Sequence, residues 1–209
     1  RRYLQRFAFI IGSHWSSITY VDCFSGPWKS RSDAFADTSF GIAINELRTA
    51  RDVLRDKQNK QVHLRCFFLE KSRSAYAQLK EFVKTIDDVE IETRNAALED
   101  SVDDIVKFAK QSGAHSSFPF IFIDPTGWTG FALDVIQPLL MLEPGEVLIN
   151  FMTGHIRRFI DSPDAETRHS FQRLFGSADF RESLSGLKGS DRDDAAVARY
   201  MGITKTAGA

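Results

Sequence analysis

Five short apolar runs, separated by segments with helical periodicity, constrain the fold of this chain more than any other feature. The runs are strand-sized and lie at residues 17–24, 63–69, 89–93, 119–123 and 147–152. The segments between them repeat apolar residues at intervals of three and four, as amphipathic helices do. Apolar strands that alternate with helices are typical of a parallel sheet covered on both faces. The sequence therefore predicts a doubly wound, mostly parallel α/β fold with three layers, of the Rossmann-like kind.

Helices are predicted between the strands and after the last one. They cover residues 3–11, 40–55, 73–86, 98–111 and 130–142, and two more begin at Ser162-Pro163 and at Ser190. Gly176 and Gly202 are expected to end these last two helices, and Pro138 is expected to kink the helix that contains it. The predicted organisation is a Rossmann-like domain over 1–160 and a helical C-terminal extension over 161–209, packed on or inserted into the same domain.

Composition excludes several classes of protein. The chain has 209 residues, 43% of them hydrophobic, and a formal net charge of −1, so a bulk attraction for nucleic acid is not indicated. No apolar stretch approaches the roughly 20 residues of a membrane-spanning helix. Cys23 and Cys66 lie inside predicted strands, which indicates core thiols in a reducing, cytoplasmic environment. The chain opens at Arg1 without a Met, so we expect an N-terminal piece to be missing.

The first candidate site follows the first strand. Tyr20-Val21-Asp22-Cys23-Phe24-Ser25-Gly26-Pro27 leads from apolar residues into an acidic residue, an aromatic residue and a turn. Nucleotides in open α/β sheets bind outside the carboxyl ends of the strands, where the strand order reverses. Gly26 can adopt a positive φ, which lets backbone N–H groups approach a ligand. We therefore expect Asp22, Phe24 and Gly26 to line a ligand site, with the long polar loop 26–38 as a candidate lid.

Two polar residues follow the next two strands. Glu70 ends the second strand, and one carboxylate there can accept hydrogen bonds from both hydroxyls of a ribose. An acidic residue at a strand end often only faces water, but Asp22 on a neighbouring strand favours the ligand interpretation. Asn95 follows the third strand, where its amide could bind an adenine edge or serve only the loop.

A sharper motif is Asp124-Pro125-Thr126-Gly127-Trp128, directly after the fourth strand. The turn that Pro125 fixes projects the Asp124 carboxylate towards the same cleft, and the indole of Trp128 can stack on a planar group. The alternative is a structural turn with a packed tryptophan. The apolar strand that precedes the turn favours a role in the site.

Further along the chain, Arg157 and Arg158 are candidates for phosphate binding, although a solvent-facing helix surface explains such a pair at least as well. The histidines show no spacing typical of metal ligands, and neither cysteine has a ligand-spaced neighbour. We therefore predict no metal site. The histidines are His14, His63, His115, His155 and His169.

Taken in order, these motifs resemble those of class I S-adenosylmethionine-dependent methyltransferases. The set Tyr20–Pro27, Phe68-Leu69-Glu70, Arg94-Asn95-Ala96 and Ile123–Trp128 is similar, more narrowly, to that of the three-Cys-motif partner protein family. That family's pattern is tyrosine, aliphatic, Asp, any residue, Phe, Ala or Ser, Gly, Pro, Gly, with a later Asp-Pro-x-Gly-aromatic. The likeness covers residues 3 to about 160. The three cysteines belong to the family's partner, so a three-Cys-motif protein is an expected partner here.

The resemblance implies that S-adenosylmethionine is the cofactor. Asp22 and Gly26, with Phe24, would line its methionine end, Glu70 would bind its ribose, and Asn95 would meet its adenine. The chain departs from the family pattern at Trp28, which stands in place of the second turn glycine. A bulky side chain there is expected to narrow the methionine end of the pocket.

On the acceptor side, the resemblance implies Asp124, Pro125 and Trp128 as catalytic residues. The implied reaction is methyl transfer to an unidentified acceptor, with a nucleic acid or a protein amine as the leading classes. A nucleic-acid substrate would be bound through Arg157 and Arg158. The alternative is a non-catalytic protein that retains the fold and works by binding a partner.

The resemblance also implies a seven-stranded sheet whose last two strands form a hairpin beside the fifth. The sequence shows five strands, and residues 162–201 carry no further β-rich run. We therefore expect a fragment that lacks its last strands and leaves the fifth strand with an open edge. The alternative is a complete, shorter protein whose final helices cover that edge.

Overall fold

A five-stranded sheet lies at the centre of the protein, whose structure is a computed structural model. The structure describes residues 1–26, 30, 35–111 and 117–209. The strand order is β3-β2-β1-β4-β5, and every neighbouring pair is parallel. This confirms the predicted Rossmann-like α/β class. The strands are β1 (Ser17–Asp22), β2 (His63–Leu69), β3 (Glu90–Arg94), β4 (Ser117–Ile123) and β5 (Glu146–Ile149).

Helices connect the strands and cover both faces of the sheet. Alternate residues of the strands point to opposite faces, so Tyr20 joins one hydrophobic cluster and Val21 the other. The helices α1 to α3 pack on the Tyr20 face, and α4 to α8 pack on the Val21 face. The helices are α1 (Arg2–His14), α2 (Ser39–Gln58), α3 (Arg73–Val83), α4 (Val102–Lys110), α5 (Leu133–Leu140), α6 (Thr153–Phe159), α7 (Ala165–Phe175) and α8 (Gly189–Ala207).

The first strand is shorter than predicted because a turn draws the chain away from it. The Ser25 N–H donates to the Leu69 carbonyl at 2.8 Å, and the Ser25 hydroxyl donates to the Asp22 carbonyl at 2.8 Å. These two bonds bend residues 23–25 across the end of β2. The fifth strand likewise ends at Ile149 rather than Met152, and the short helix α6 follows it, which the sequence did not indicate.

Two other helices differ from prediction at their starts. The segment predicted as one helix over 98–111 is a 3₁₀ turn at Leu98–Asp100 followed by α4. The helix expected from Gly130 begins at Leu133, because Gly130 has a φ of +84° that no helix accommodates. Pro138 lies inside α5, as expected.

The two C-terminal helices differ from prediction at one end each. Gly176, with a φ of +61°, ends α7 as predicted, but α7 begins at Ala165, where Asp164 accepts a hydrogen bond from the Thr167 N–H at 2.7 Å. The expectation that Gly202 ends α8 is wrong. An added methyl group at Gly202 would meet nothing within 4 Å, so the glycine is an open helical position. It weakens a helix by about 1 kcal/mol without forcing it to stop.

The helices after residue 160 share the core of the sheet. Phe171, Phe175 and Tyr200 are buried in the same cluster as Val21 and Ile121. β5 is an edge strand that pairs with β4, and within the described residues no other strand pairs with it. None of the helices in the described ranges combines the length and the apolarity that crossing a membrane requires.

Candidate functional site

A cavity of about 200 Å³ lies at the carboxyl ends of the strands, in the crevice between β1 and β4 where the strand order reverses. Ligands of open α/β sheets bind at this position. Segments that follow β1, β2, β3 and β4 form its wall. The lining residues are Cys23, Phe24, Leu69, Glu70, Lys71, Ala96, Ala97, Leu98, Glu99, Pro125, Thr126, Gly127, Thr129 and Gly130.

The turn after β1 places Phe24 on the cavity and Asp22 behind it. Asp22 is fully buried, and its Oδ1 accepts a hydrogen bond from the Phe24 N–H at 3.0 Å. The Phe24 ring approaches Gly130, where an added methyl group would lie 3.8 Å from the ring. Phe24 is thus a wall residue of the cavity, whereas Asp22 supports the wall from beneath.

The carboxyl group of Asp22 is in an unusual electrostatic environment. Burial raises its pKa to about 6, and the nearby Asp124 carboxylate acts in the same direction, while the Ser39 hydroxyl and the Phe24 N–H lower it. Within the described part of the chain, Asp22 Oδ2 has no hydrogen-bond partner. A buried acceptor without a partner costs about 1–3 kcal/mol. Asp22 is fully buried and lines neither this cavity nor the one that Asp124 lines, so its carboxylate acts by holding the turn that carries Phe24.

Glu70 lines the cavity at the end of β2. Its Oε1 accepts a hydrogen bond from the Ser72 N–H at 2.6 Å, at the residue that caps α3. This bond fixes the orientation of the carboxylate. Two carboxylate oxygens offer about four acceptor sites, so Glu70 keeps the capacity to bind hydroxyl groups of a ligand.

Asn95 has a supporting position rather than a wall position. Its Nδ2 donates to the carbonyls of Glu70 at 2.8 Å and Lys71 at 3.2 Å, which fastens the turn that carries Glu70. The following segment, Ala96–Glu99, forms the wall on this side. Lys71 and Glu99 also line the cavity but were not predicted, although each follows closely after a predicted strand end, where wall residues are expected.

Asp124 lies at the crevice but opens to the other face of the sheet. The residues of β4 alternate between faces, and Asp124 falls on the same side as Phe122, beneath α1 and α2. Its Oδ1 accepts a hydrogen bond from Asn150 Nδ2 at 2.6 Å. It lines a second cavity, of about 230 Å³, together with Tyr20 and Ser39. The turn that follows, from Pro125 to Gly127, lines the first cavity, so this motif separates the two spaces.

Trp128 is packed into the protein. Its ring is stacked on the Phe171 ring, with centroids 5.1 Å apart and an interplanar angle of 8°. The centroid of the Phe159 ring lies 4.8 Å from that of Trp128. The indole N–H donates to the Ser170 hydroxyl at 2.8 Å. These contacts are those of the structural alternative, a turn with a packed tryptophan. They leave Pro125, Thr126 and Gly127 as the residues that the motif presents to the cavity.

The arginine pair lies on α6. Arg157 forms an ion pair with Asp193 at 3.4 Å, and the Arg158 guanidinium lies 5.9 Å from the centre of the Phe159 ring.

His155, one turn earlier on α6, was not predicted as a site residue. It lies against Gly127, and its Nδ1 is buried without a hydrogen-bond partner in the described residues. Gly26 is buried in the turn after β1, and its N–H donates to the Phe24 carbonyl at 2.9 Å.

Trp28 and most of the predicted lid, residues 27–29 and 31–34, lie outside the described residues. The narrowing of the pocket by Trp28 therefore stays a prediction.

No protein-family model matches the chain, and no curated protein matches it.

Proposed function

We propose that the protein is an S-adenosylmethionine-dependent methyltransferase similar to the three-Cys-motif partner proteins. The observation that carries the proposal is the cavity in the crevice between β1 and β4, with the Glu70 carboxylate at the end of the adjacent strand. A carboxylate in this position suits the two hydroxyls of a ribose, since each can donate to it.

The residues present fit the parts of this cofactor. Glu70 would hold the ribose, and the Ala96–Glu99 segment would border the adenine. Phe24 would pack against the ligand, and Asp22 would hold the turn that carries Phe24 by accepting the hydrogen bond from the Phe24 N–H. Asn95 would act by holding the Glu70 turn in place.

The protein's own part in the reaction is to position and desolvate the reacting groups. When bound, S-adenosylmethionine supplies an electrophilic methyl group. The Asp124 carboxylate, whose orientation the hydrogen bond from Asn150 fixes, would accept a hydrogen bond from an acceptor amine. Pro125 fixes the turn that brings this carboxylate to the crevice, and holding the two reactants together lowers the barrier through orientation.

A second candidate function, partner binding without catalysis, is favoured by one observation. The cavity of about 200 Å³ is smaller than the roughly 300–1,000 Å³ of typical ligand pockets. A protein of this fold that binds a three-Cys-motif partner would not need to hold a whole cofactor.

Isothermal titration with S-adenosylmethionine separates the two functions. We expect binding by the wild type, and Glu70→Gln should weaken it about 10- to 100-fold, because charge-assisted hydrogen bonds of roughly 1.5–3 kcal/mol are lost. Glutamine keeps the oxygen that accepts from Ser72. Glu81→Gln, an exposed position on α3, is the matched control and should bind normally. Absence of heat and of a thermal shift with both the cofactor and its homocysteine product would favour the binding function.

A further inference from the structure

Helix α1 is apolar on its outer side as well as on the side that faces the sheet. Leu4, Phe7 and Ala8 are buried in the core. On the outer side, Tyr3 is 51% exposed and Ile10 is 55% exposed. A surface helix normally has one apolar stripe, which faces the core, and polar residues on the opposite side. Packing within the described residues therefore does not explain the outer side of α1, and an exposed apolar patch of this kind is typical of an interaction surface.

Two grooves flank α1 and meet at its outer side. The first, of about 550 Å³, lies between α1 and β5 and extends to Glu146. The second, of about 410 Å³, lies between α1 and α2 and extends to Val53. Arg6 and Ile10 border both grooves and lie one helical turn apart, so they form the ridge between them. Each groove has room for side chains of a partner, since typical ligand pockets measure roughly 300–1,000 Å³.

The same surface carries positive charge. α1 contains neither Asp nor Glu, and Arg2 and Arg6 are exposed without an ion-pair partner among the described residues. Glu146 lies at the edge of the first groove, but its carboxylate accepts a hydrogen bond from the Tyr3 hydroxyl. Arg2, Arg6 and Ile10 follow one another at four-residue intervals, which places them along one side of the helix. A partner that covers this side therefore needs carboxylates for the two guanidinium groups.

Charge and shape distinguish the candidate partners of this surface. A second copy of the chain would bring two more unpaired arginines to the contact, because a two-fold interface uses the same surface on both sides. A lipid bilayer presents a plane, which would meet the ridge of α1 and leave the grooves beside it unfilled. An amphipathic helix fits both properties. Its apolar residues recur every three or four positions and can enter a groove beside α1, while acidic residues next to them reach Arg2 and Arg6.

We infer that the outer side of α1 binds an acidic amphipathic helix of a partner protein. The apolar residues of that helix enter the grooves on either side of Ile10, and its carboxylates pair with Arg2 and Arg6. The inference goes beyond the proposed reaction and does not depend on it, because the described residues that form this surface are not among those that line the cavity at Glu70.

The role of charge is tested by fluorescence anisotropy with two labelled helical peptides. Both carry the same leucine stripe, and the positions beside the stripe are glutamate in one peptide and lysine in the other. The glutamate peptide should bind about tenfold more tightly, because it attracts the arginines that the lysine peptide repels. Arg2→Glu with Arg6→Glu should reverse this preference. The matched control is Lys107→Glu with Lys110→Glu, which reverses two exposed charges on α4, on the other face of the sheet, and should keep the wild-type preference.

The role of the apolar ridge is tested with the glutamate peptide. Ile10→Ser should weaken its binding about tenfold, because the apolar area that the peptide covers is reduced. Met201→Ser is the matched control, since Met201 is 50% exposed on a helix, α8, that is remote from both grooves, and it should bind like the wild type. Both substitutions are at exposed positions, and far-UV circular dichroism checks that the fold is kept. Equal weakening by the two substitutions would overturn the assignment of the ridge.

Other results would also overturn the inference. Equal affinity for the two peptides, or no binding of either, would show that the surface does not select an acidic helix. Dimers in analytical ultracentrifugation that Ile10→Ser dissociates would assign the surface to a second copy. Binding to phosphatidylglycerol vesicles that Arg2→Glu with Arg6→Glu abolishes, without a preference between the peptides, would assign it to a membrane. Titration with S-adenosylmethionine tests the proposed function separately, because these substitutions lie away from the cavity at Glu70.

Discussion

Replacing Asp22 by Asn should stabilise the fold at neutral pH. Asp22 is fully buried, and its pKa is raised from 3.8 to about 6. Between about pH 4 and pH 6, the folded state therefore holds a proton that the unfolded state has released. Asp22 therefore does not reduce the free energy of unfolding below about pH 4, and it lowers that free energy increasingly as the pH rises towards about 6. Each tenfold change in proton affinity is worth about 1.4 kcal/mol, so ionisation of Asp22 costs about 3 kcal/mol in total.

The asparagine variant avoids this cost, because its side chain is neutral at every pH. The hydrogen bond from the Phe24 N–H survives, since the amide oxygen can accept it. The amide nitrogen takes the position of Oδ2, which lacks a partner in the described residues. The buried N–H groups are then without an acceptor, and this offsets part of the gain. We expect a net gain of about 1–3 kcal/mol in the free energy of unfolding at pH 7.5.

The measurement is urea-induced unfolding of both proteins between pH 4 and pH 8, followed by tryptophan fluorescence. Other titrating groups are common to the two proteins and cancel in the difference between them. That difference should increase between about pH 4 and pH 6 and level off above. A difference that does not change with pH would show that Asp22 titrates normally in the folded protein. The reasoning that burial of the Asp22 carboxylate costs free energy when it ionises would then be refuted.

Three further substitutions test other parts of the structure. Asp124→Ala should keep the affinity for S-adenosylmethionine within about tenfold and abolish methyl transfer, because its role is on the acceptor side; transfer at the wild-type rate would make Asp124 structural. Gly130→Ala should lower the free energy of unfolding by about 1–2 kcal/mol in urea, since its φ of +84° strains any side chain. Gly154→Ala, where an added methyl group meets nothing within 4 Å, is its control and should not destabilise the protein. Asp88→Asn should destabilise the protein at pH 7 by no more than about 1 kcal/mol, because solvent screens the pair with Arg48, which lowers the pKa of Asp88 to about 2. That effect should fade as the pH falls from about 4 to 2, a dependence opposite in sign to that of Asp22.

The parallel sheet could be predicted because its strands are buried on both faces. A run such as Phe120-Ile121-Phe122-Ile123 has no polar alternation, and such a strand fits a sheet with helices on either side. The position of Glu70 could be predicted for a related reason. A polar residue directly after a buried strand is expected at the edge of the sheet where the strand ends. The end of α7 at Gly176 was equally local, because it depends on one residue's left-handed conformation.

The features that the sequence did not reveal depend on distant neighbours. Trp128 has a ring that can stack, but its partners Phe159 and Phe171 come from later helices. Asn95 has an amide that can bind a ligand, yet the carbonyls of Glu70 and Lys71 take its donor. Local sequence therefore identifies which groups are capable of a role, and tertiary packing decides which of them are left free to perform it.

The strand order has a consequence for the newly made chain. β1 lies between β2 and β4, and Ser17 pairs with Ser117, about 100 residues later. At about 5–20 residues per second of synthesis, roughly 5–20 s pass before the ribosome supplies the strand that covers this side of β1. During that interval β1, β2 and β3 can assemble, but the apolar β1 exposes an unpaired edge that other chains can join. Mutations that slow the arrival or docking of β4 should therefore reduce the yield of folded protein more than they reduce its final stability.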